Sequence, residues 1–276
     1  MSLRSIYIAG NGSKVGCAEL IEQICLFLKG KAHVVGTCLG LEQKLPEVPI
    51  DLVISLGGDG SFLNMVSSVI ERDIPIMGVN FGRLGFLTAG LASDVDRLLL
   101  SYLEGETQVY ERLVLKVEAD AGDERLTRYA LNDVVVCAKD LTNVVSLLVN
   151  VSGESLFHFR GDGMIISTPT GSTAHSLSAG GSLVHPRVEA LLLTPLCSQS
   201  MSSRPIIVHS SVRVEVGILP EGSPGEVLYD GKRLVPAKAG DKVTVSRHDR
   251  PIKMVQTEKF KFLHRLADKL GWSESF

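Results

Sequence analysis

The first residues in this sequence that could act in a reaction lie in a glycine-rich turn around Asp59. Gly57 and Gly58 precede this aspartate, and Gly60 follows it. Glycines at this density let a ligand come close to the backbone, and their N–H groups can donate to phosphate oxygens. A carboxylate among them can act as a general base or a metal ligand, and the alternative is a simple helix N-cap at Asp59 or Ser61. A cap needs only one polar residue, so the turn predicts a phosphate-binding site at the three glycines with Asp59 as its reactive group.

A second polar stretch, residues 160–186, is rich in serine, threonine and glycine. Within it, the apolar run at 164–166 predicts a strand that leads into the hydroxyl-rich residues. Pro169 holds Thr168 extended and Gly171 gives a following turn its freedom. Hydroxyls and N–H groups then converge at a strand end, which favours a pocket for a ligand rich in hydroxyls and phosphates. A Ser/Thr/Gly surface loop is the alternative.

Two adjacent polar residues, Asn132 and Asp133, interrupt an otherwise apolar strand pattern at Ala-Leu-Asn-Asp-Val-Val-Val. Side chains in such a place need partners or a ligand. The alternative is a strand end or a β-bulge.

The elements that position Asp59 belong to an alternating strand and helix pattern. Strands are predicted at residues 5–9, 33–39, 52–56 and 74–79, and helices at 14–29, after Asp59, and from Ser93, where Ser93 and Asp96 have capping-box spacing. Alternation of this kind predicts a Rossmann-like, doubly wound parallel sheet. Asp59 and the Asn-Phe-Gly-Arg-Leu-Gly-Phe-Leu segment at 80–87 both follow strands, so they are expected at the ligand-binding edge of that sheet.

From about residue 107 the pattern changes to short strand-like runs separated by Gly, Asp and Pro turns. The runs lie at 109–117, 125–137, 144–151, 155–160, 205–216, 226–228 and 242–247. They predict a β-sandwich-like second domain in which only the hydroxyl-rich stretch contributes helix.

The C-terminal segment has apolar residues at helical spacing: Phe260, Leu263, Leu266 and Leu270. A closing amphipathic helix is expected to pack back on the first domain. The predicted domains are residues 1–105 with 255–276, and residues 106–254.

Composition narrows the classes of function. The 276 residues carry 28 Lys+Arg against 31 Asp+Glu, a net charge of -3, so no basic face for nucleic acid is expected. No apolar run approaches the ~20 residues of a spanning helix and no signal-peptide layout is present, so we expect a cytoplasmic protein without a membrane partner. The five cysteines are odd in number and lack a C-x-x-C pair, which favours neither disulfides nor a zinc site.

The motifs together resemble the NAD kinase family. Leu-Gly-Gly-Asp-Gly, Asn-Phe-Gly-x-Leu-Gly-Phe-Leu, Leu-Asn-Asp, Arg-x-Asp-Gly, Ser-Thr-Pro-Thr-Gly-Ser-Thr-Ala, Ser-Leu-Ser-Ala-Gly-Gly, Ser-Ser-Arg-Pro-Ile and Tyr-Asp-Gly appear in family order between about residues 51 and 231. The first motif also resembles lipid kinases and phosphofructokinases. The long Ser/Thr motif is far more specific.

This resemblance implies transfer of the terminal phosphoryl group of ATP to the adenosine 2′-hydroxyl of NAD, giving NADP, with Asp59 as general base. It implies Mg²⁺ or another divalent cation with unknown ligands, and a homodimer or homotetramer. Inorganic polyphosphate is a possible second donor. The NAD-binding residues it implies are Asp59, Gly60, Asn64, Asn132, Asp133, Arg160, Asp162, Thr170, Thr173, Ala174, His175, Ser176, Leu177, Ser178 and Cys197. Without a P-loop lysine, Arg83 is a candidate phosphate helper, the alternative being a solvated loop charge.

The sequence departs from the family pattern at four of its positions. His175 stands where a stacking tyrosine is usual, and Ser182 replaces a proline. Asp133 is the shorter of the two carboxylates used there, and Asn64 stands where a basic residue is frequent. These changes bear on affinity for the base and the phosphates, and they leave Asp59 in place.

Two other functions fit part of the pattern. A lipid or sugar kinase could use the same glycine turn, but no basic amphipathic helix is present for a membrane, and the long Ser/Thr motif would have no role. A sensor that binds NAD(P) without chemistry would keep the pocket, but retention of Asp59 argues against it.

Overall fold

The structure is a computed structural model that describes residues 3–40, 44–121, 124–140, 142–257 and 261–272. It contains two compact units: Met1–Glu111 with Ile252–Phe276 form unit 1, and Arg112–Pro251 form unit 2. The helices are α1 (Cys17–Leu28), α2 (Asp59–Ile70), α3 (Val95–Glu104), α4 (His175–Ser178) and α5 (Phe262–Leu270). The strands are β1 (Ser5–Gly10), β2 (His33–Leu39), β3 (Leu52–Gly57), β4 (Ile76–Asn80), β5 (Thr88–Leu91), β6 (Thr107–Arg112), β7 (Leu115–Ala121), β8 (Glu124–Ala130), β9 (Asp133–Ala138), β10 (Val145–Val151), β11 (Glu154–Gly161), β12 (Gly163–Ser167), β13 (Ala190–Leu196), β14 (Ile206–His209), β15 (Val214–Ile218), β16 (Gly225–Tyr229), β17 (Lys232–Ala237), β18 (Lys242–Arg247) and β19 (Ile252–Thr257).

Unit 1 is built on a sheet with the strand order β2-β1-β3-β4-β19-β6, in which β5 also pairs with β4. The pairings of β1 with β2 and β3, and of β4 with β3, β5 and β19, are parallel. Every residue of β3 is buried, as expected for a continuous apolar run at the centre of such a sheet. Helix α1 packs its apolar stripe, including Ile21 and Ile24, into the core of this unit.

Unit 2 is a sandwich of two antiparallel sheets. Their strand orders are β11-β10-β15-β18-β7-β8 and β14-β13-β12-β9-β16-β17. Alternate side chains of both sheets fill one shared core, with Val117 from the first sheet and Val136 and Ile166 from the second. The predicted fold class is confirmed: a parallel α/β domain is followed by a β-rich domain, and the closing helix α5 lies in unit 1. Phe260, predicted at the start of that helix, lies outside the described residues.

Several predicted boundaries were wrong. The expected strands at 109–117, 125–137 and 205–216 are each two strands, broken at 113–114, at 131–132 and at 210–213. The first helix begins at Cys17 rather than Lys14. Helix α3 begins at Val95 after a single 3-10 turn, and no side-chain hydrogen bond caps it, so the capping box expected at Ser93 does not form.

No helix in the described ranges combines the length and apolarity needed to cross a lipid bilayer.

Candidate active site

The glycine turn joins the end of β3 to the start of α2, as its sequence predicts. Gly57 has φ 155°, and a Cβ there would lie 2.0 Å from Ser61 Oγ, so only glycine fits. Asp59 is the first residue of α2. Around the ideal Cβ of Gly60 there is no atom within 4 Å, so the turn is open to a ligand on that side.

The carboxylate of Asp59 is fixed by a neighbouring loop. Oδ2 accepts the backbone N–H of Phe86 at 2.8 Å, and Oδ1 accepts that of Leu87 at 3.0 Å. Gly85 allows this approach, because a Cβ there would lie 2.0 Å from Asp59 Oδ1. Asp59 is half-buried, so its carboxylate is oriented by the protein while part of it still faces solvent.

Arg265 of α5 donates hydrogen bonds to carbonyl groups of the same loop. Its Nη1 donates to Gly85 O and to Thr88 O, both at 2.8 Å. Burial lowers the pKa of Arg265 to about 10, and the negative charge of Asp59 opposes that change. Since arginine stays charged at neutral pH, residues 85–88 are held between a carboxylate and a guanidinium.

The remaining predicted residues of unit 1 lie around this turn. The side chain of Asn80 donates to Arg83 O at 2.8 Å and accepts from Gly82 N at 3.2 Å, which shapes the loop after β4. The side chain of Arg83 is exposed, and Asn64 is half-buried on α2.

In unit 2, the connection between β8 and β9 at Asn132-Asp133 is held by the carboxylate of Asp230, a residue that sequence reasoning missed. Asp230 accepts the backbone N–H groups of Leu131 at 2.8 Å, Asn132 at 2.7 Å and Asp133 at 3.2 Å. Asp230 has φ 45°, which aims its side chain from the tight turn between β16 and β17. The signal was the Asp-Gly pair of the Tyr-Asp-Gly motif, a typical hairpin turn.

Asp133 is 4% exposed and lies beside Asp230. Burial and, next, the charge of Asp230 raise the pKa of Asp133 to about 7, against the backbone N–H of His175, which lowers it. Burial also raises the pKa of Asp230 to about 6, against the three N–H donors. A perturbed carboxyl pair of this kind is frequent at functional sites.

The hydroxyl-rich stretch is hydrogen-bonded to the same connection between β8 and β9. Thr168 Oγ1 donates to Leu131 O at 2.6 Å and accepts from Gly171 N at 3.0 Å, while Thr168 N donates to Asn132 O at 2.9 Å. Gly171 must be glycine, because a Cβ there would lie 2.1 Å from Asn132 O. Residues 131–133 and 168–175 therefore form one rigid constellation.

The predicted contacts within this stretch differ in exposure. Thr170 and Ser176 are buried, and Ser176 Oγ shares a 2.9 Å hydrogen bond with Thr194 Oγ1. His175 and Ser178 are exposed, whereas Thr173, Ala174 and Leu177 are half-buried. The hydroxyl of Ser176 thus has an internal partner, which leaves its backbone as the group that can meet a ligand.

Arg160, Asp162 and Cys197 lie where β11 and β13 end and β12 begins. Arg160 O accepts from Gln199 N at 2.9 Å, and Leu196 O accepts from Asp162 N at 3.0 Å. A hydrogen bond to the Asp162 side chain raises the pKa of the Cys197 thiol. Cys197 has φ 44°, a left-handed conformation uncommon for a non-glycine residue.

The described residues contain no group of three or more His, Cys, Asp or Glu side chains that could hold a metal ion by themselves. The divalent cation therefore stays a prediction.

Comparison with known proteins gives matches along most of the chain. The ATP-NAD kinase N-terminal domain model matches residues 37–107, and the ATP-NAD kinase C-terminal domain model matches residues 131–257. The NAD kinase of Geotalea daltonii is 35% identical over 88% of this chain and 85% of its own length. The NAD kinase of Geobacter sulfurreducens is 37% identical over 88% of this chain and 87% of its own length.

Two solved structures share the fold. A crystal structure of yeast NADH kinase complexed with NADH has a TM-score of 0.88 at 24% identity, covering 100% of this chain and 90% of its own. An NAD kinase from Archaeoglobus fulgidus in complex with ATP has a TM-score of 0.78 at 24% identity, covering 96% of this chain and 98% of its own.

Proposed function

Because the chain belongs to the NAD kinase family, we propose that this phosphotransferase moves the terminal phosphoryl group of ATP to the adenosine 2′-hydroxyl of NAD, with Asp59 as general base. The observation that carries the role of Asp59 is its fixed carboxylate, which accepts N–H groups of Phe86 and Leu87 at an open glycine turn. A preoriented acceptor loses little freedom when a substrate arrives, which favours catalysis.

The two loop contacts leave Asp59 able to accept a proton. Each carboxylate oxygen offers about two acceptor positions, and each accepts one N–H here. In the proposed step the 2′-hydroxyl oxygen forms a bond to the terminal phosphorus, the bond from that phosphorus to the bridging oxygen breaks, and ADP leaves. The hydroxyl proton passes to Asp59.

The glycines of the turn are proposed to meet the donor phosphates. Gly57, Gly58 and Gly60 place backbone N–H groups at the amino end of α2 without side chains in the way. Helix amino ends favour anions, because the first N–H groups lack partners within the helix.

The NAD contacts are proposed for unit 2. Asn132 and Asp133 are held by Asp230, and the turn from Thr168 is fastened to them. Such a scaffold presents polar groups in fixed positions, as a ligand with ribose hydroxyls requires. The contacts proposed there are Asn132, Asp133, Arg160, Asp162, Thr170, Thr173, Ala174, His175, Ser176, Leu177, Ser178 and Cys197.

Three parts of the proposal rest on family resemblance alone: use of a divalent cation, homodimer or homotetramer assembly, and polyphosphate as a second donor. A cytoplasmic location is proposed because the sequence has no apolar run long enough to span a membrane. The cation would supply charge neutralisation at the phosphates.

The test is NADP formation from NAD, ATP and Mg²⁺, read through an NADP-specific dehydrogenase, for wild type and Asp59→Asn. General bases contribute about 10²–10⁴-fold, so we expect turnover to fall by that factor with NAD still bound. Asp51→Asn is the matched control, because Asp51 also accepts a backbone N–H, from Ser5 at 2.7 Å, and it does not belong to the glycine turn.

Two results would count against the proposal in different ways. Turnover of Asp59→Asn at the wild-type rate removes Asp59 as base and leaves the reaction. A folded wild type that binds NAD but forms no NADP with ATP or polyphosphate removes the reaction and favours a sensor.

A further inference from the structure

Residues 85–88, the segment that orients Asp59, make hydrogen bonds on two sides. Towards the glycine turn, the N–H groups of Phe86 and Leu87 donate to the two carboxylate oxygens of Asp59 at 2.8 and 3.0 Å. The N–H of Gly85 is bonded within the segment, because it donates to Thr88 Oγ1 at 3.0 Å. A second hold on the segment can therefore come from its carbonyl oxygens.

These carbonyl oxygens meet two side chains from the C-terminal part of unit 1. Nη1 of Arg265 donates to Gly85 O and to Thr88 O, both at 2.8 Å. Nε2 of Gln256, a fully buried residue of β19, donates to Leu87 O at 3.5 Å, which is long and therefore weaker. Arg265 is thus the stronger hold, and one of its nitrogen atoms joins the two ends of the segment.

A single peptide unit links the contact of Arg265 to the contact of Asp59. Gly85 O and Phe86 N belong to the same planar unit, which is trans, so its carbonyl and its N–H point in opposite directions. A hydrogen bond that fixes the direction of Gly85 O therefore also fixes the direction of the Phe86 N–H, which meets Asp59 Oδ2. Hydrogen bonds at the two ends of one unit also polarise each other, so each strengthens the other.

Arginine has the donor geometry that this arrangement needs. Nη1 carries two N–H groups in the plane of the guanidinium, so it can donate to two carbonyl oxygens at once. The side chain of Arg265 is half-buried, and burial lowers its pKa to about 10, so it stays charged at neutral pH. Bonds from a charged donor are stronger than those from a neutral one. A lysine would keep the charge and lose the rigid fork.

We infer that Arg265 is a positioning residue for the proposed base: it holds the peptide unit between Gly85 and Phe86, and through that unit it sets the direction of the Asp59 carboxylate. Gln256 assists at Leu87 O. The inference rests on the proposed function, because it takes Asp59 as the base. It predicts that loss of Arg265 lowers the rate of phosphoryl transfer and leaves the affinity for both substrates unchanged.

The test is a double-mutant cycle in which kcat and KM for NADP formation are measured for wild type, Arg265→Met, Asp59→Asn and the double variant. In the wild-type background, Arg265→Met should lower kcat by about 10–100-fold and leave the KM for NAD and for ATP unchanged. In the Asp59→Asn background it should have no further effect, because no base is left to misplace. Arg265→Lys keeps the charge and should regain part of kcat.

The matched control is Arg72→Met. Arg72 also lies in unit 1, and it also donates to two backbone carbonyl groups, those of Pro46 and Val48. This variant loses the same kind of contact away from the glycine turn, so its kcat should match wild type. Thermal unfolding of Arg265→Met, Arg265→Lys and Arg72→Met checks that all three are folded.

Amide hydrogen exchange gives a readout that needs no activity. Exchange at Phe86 and Leu87 should be faster in Arg265→Met than in wild type or in Arg72→Met. The inference is overturned by unchanged exchange at these amides, by an unchanged kcat in Arg265→Met, or by an equal loss of kcat in both backgrounds. It is also overturned if Arg265→Met acts only by raising the KM for ATP, which would make Arg265 a substrate contact. Wild type that forms no NADP removes the proposed function instead, and the exchange then still decides whether Arg265 orders the segment.

Discussion

The carboxyl pair of Asp133 and Asp230 makes a prediction that can be measured without any assay of activity. Two causes raise the pKa of Asp133 to about 7: burial is the larger, and the negative charge of Asp230 is the second. Replacing Asp230 by asparagine removes the charge and leaves the burial. We therefore expect the pKa of Asp133 in Asp230→Asn to fall, but to stay above its ordinary 3.8.

The size of the effect follows from linkage. Each pH unit between the folded and unfolded pKa corresponds to about 1.4 kcal/mol, so a rise from 3.8 to about 7 corresponds to roughly 4 kcal/mol. The folded state holds this proton more tightly than the unfolded chain does. The contribution to stability is therefore complete below about pH 4 and is lost as the pH rises to 7. A lower folded pKa in Asp230→Asn makes that loss smaller.

The substitution also has a cost that does not depend on Asp133. The asparagine side chain would offer one oxygen to the three backbone N–H groups that the carboxylate of Asp230 now accepts. Each hydrogen bond to a charged group contributes about 1.5–3 kcal/mol, so Asp230→Asn should be less stable than wild type at pH 8.

The assay is a ¹³C NMR titration of the side-chain carboxyl groups between pH 4 and 9. Wild type, Asp230→Asn and Asp140→Asn are compared, because Asp140 is an exposed aspartate of the same unit and its loss should leave Asp133 unchanged. The reasoning is refuted if Asp133 titrates at its ordinary value in wild type, or at the wild-type value in Asp230→Asn.

Two further substitutions separate positioning from contact. Gly85→Ala puts a methyl group 2.0 Å from Asp59 Oδ1, so NADP formation should fall on the order of 100-fold. The control Gly82→Ala has open space around its Cβ and should keep wild-type turnover. Equal rates for the two variants would show that the loop does not position Asp59. Ser176→Ala should lower stability by about 1 kcal/mol and leave the KM for NAD unchanged, because the Ser176 hydroxyl is hydrogen-bonded to Thr194. A raised KM in steady-state kinetics would make that hydroxyl a substrate contact.

Local patterns were sufficient to place Asp59. The run Leu52 to Leu56, the three glycines and the apolar face of α2 are contiguous in sequence, so strand, turn and helix could be predicted from one stretch. The same holds for the break at Asn132-Asp133, where polar residues interrupt an apolar pattern.

The partners of these residues could not be predicted, because they lie far along the chain. Asp230 is 97 residues from Asp133, and Arg265 is 180 residues from Gly85. Arg265 belongs to none of the motifs, and its role depends on α5 lying in unit 1. Only the Asp-Gly turn at Asp230 carried a local signal.

Strand boundaries failed where the usual breakers are absent. Residues 113–114 and 210–213 contain neither glycine nor proline, so the sequence reads as continuous strand through both breaks. Pro195 lies in β13, although proline is usually unfavourable inside a strand. Its missing N–H is tolerated because β14 pairs with Ala190 to Leu193 only, so Pro195 has no β14 neighbour on that side.

Helix α5 is tied to the chemistry by a short chain of contacts. Arg265 fixes the carbonyl groups of Gly85 and Thr88, and the N–H groups of Phe86 and Leu87 between them orient Asp59. A change in α5 can therefore reach the proposed base without touching either substrate. The return of the C-terminal helix to unit 1 is thus part of the site as well as of the fold.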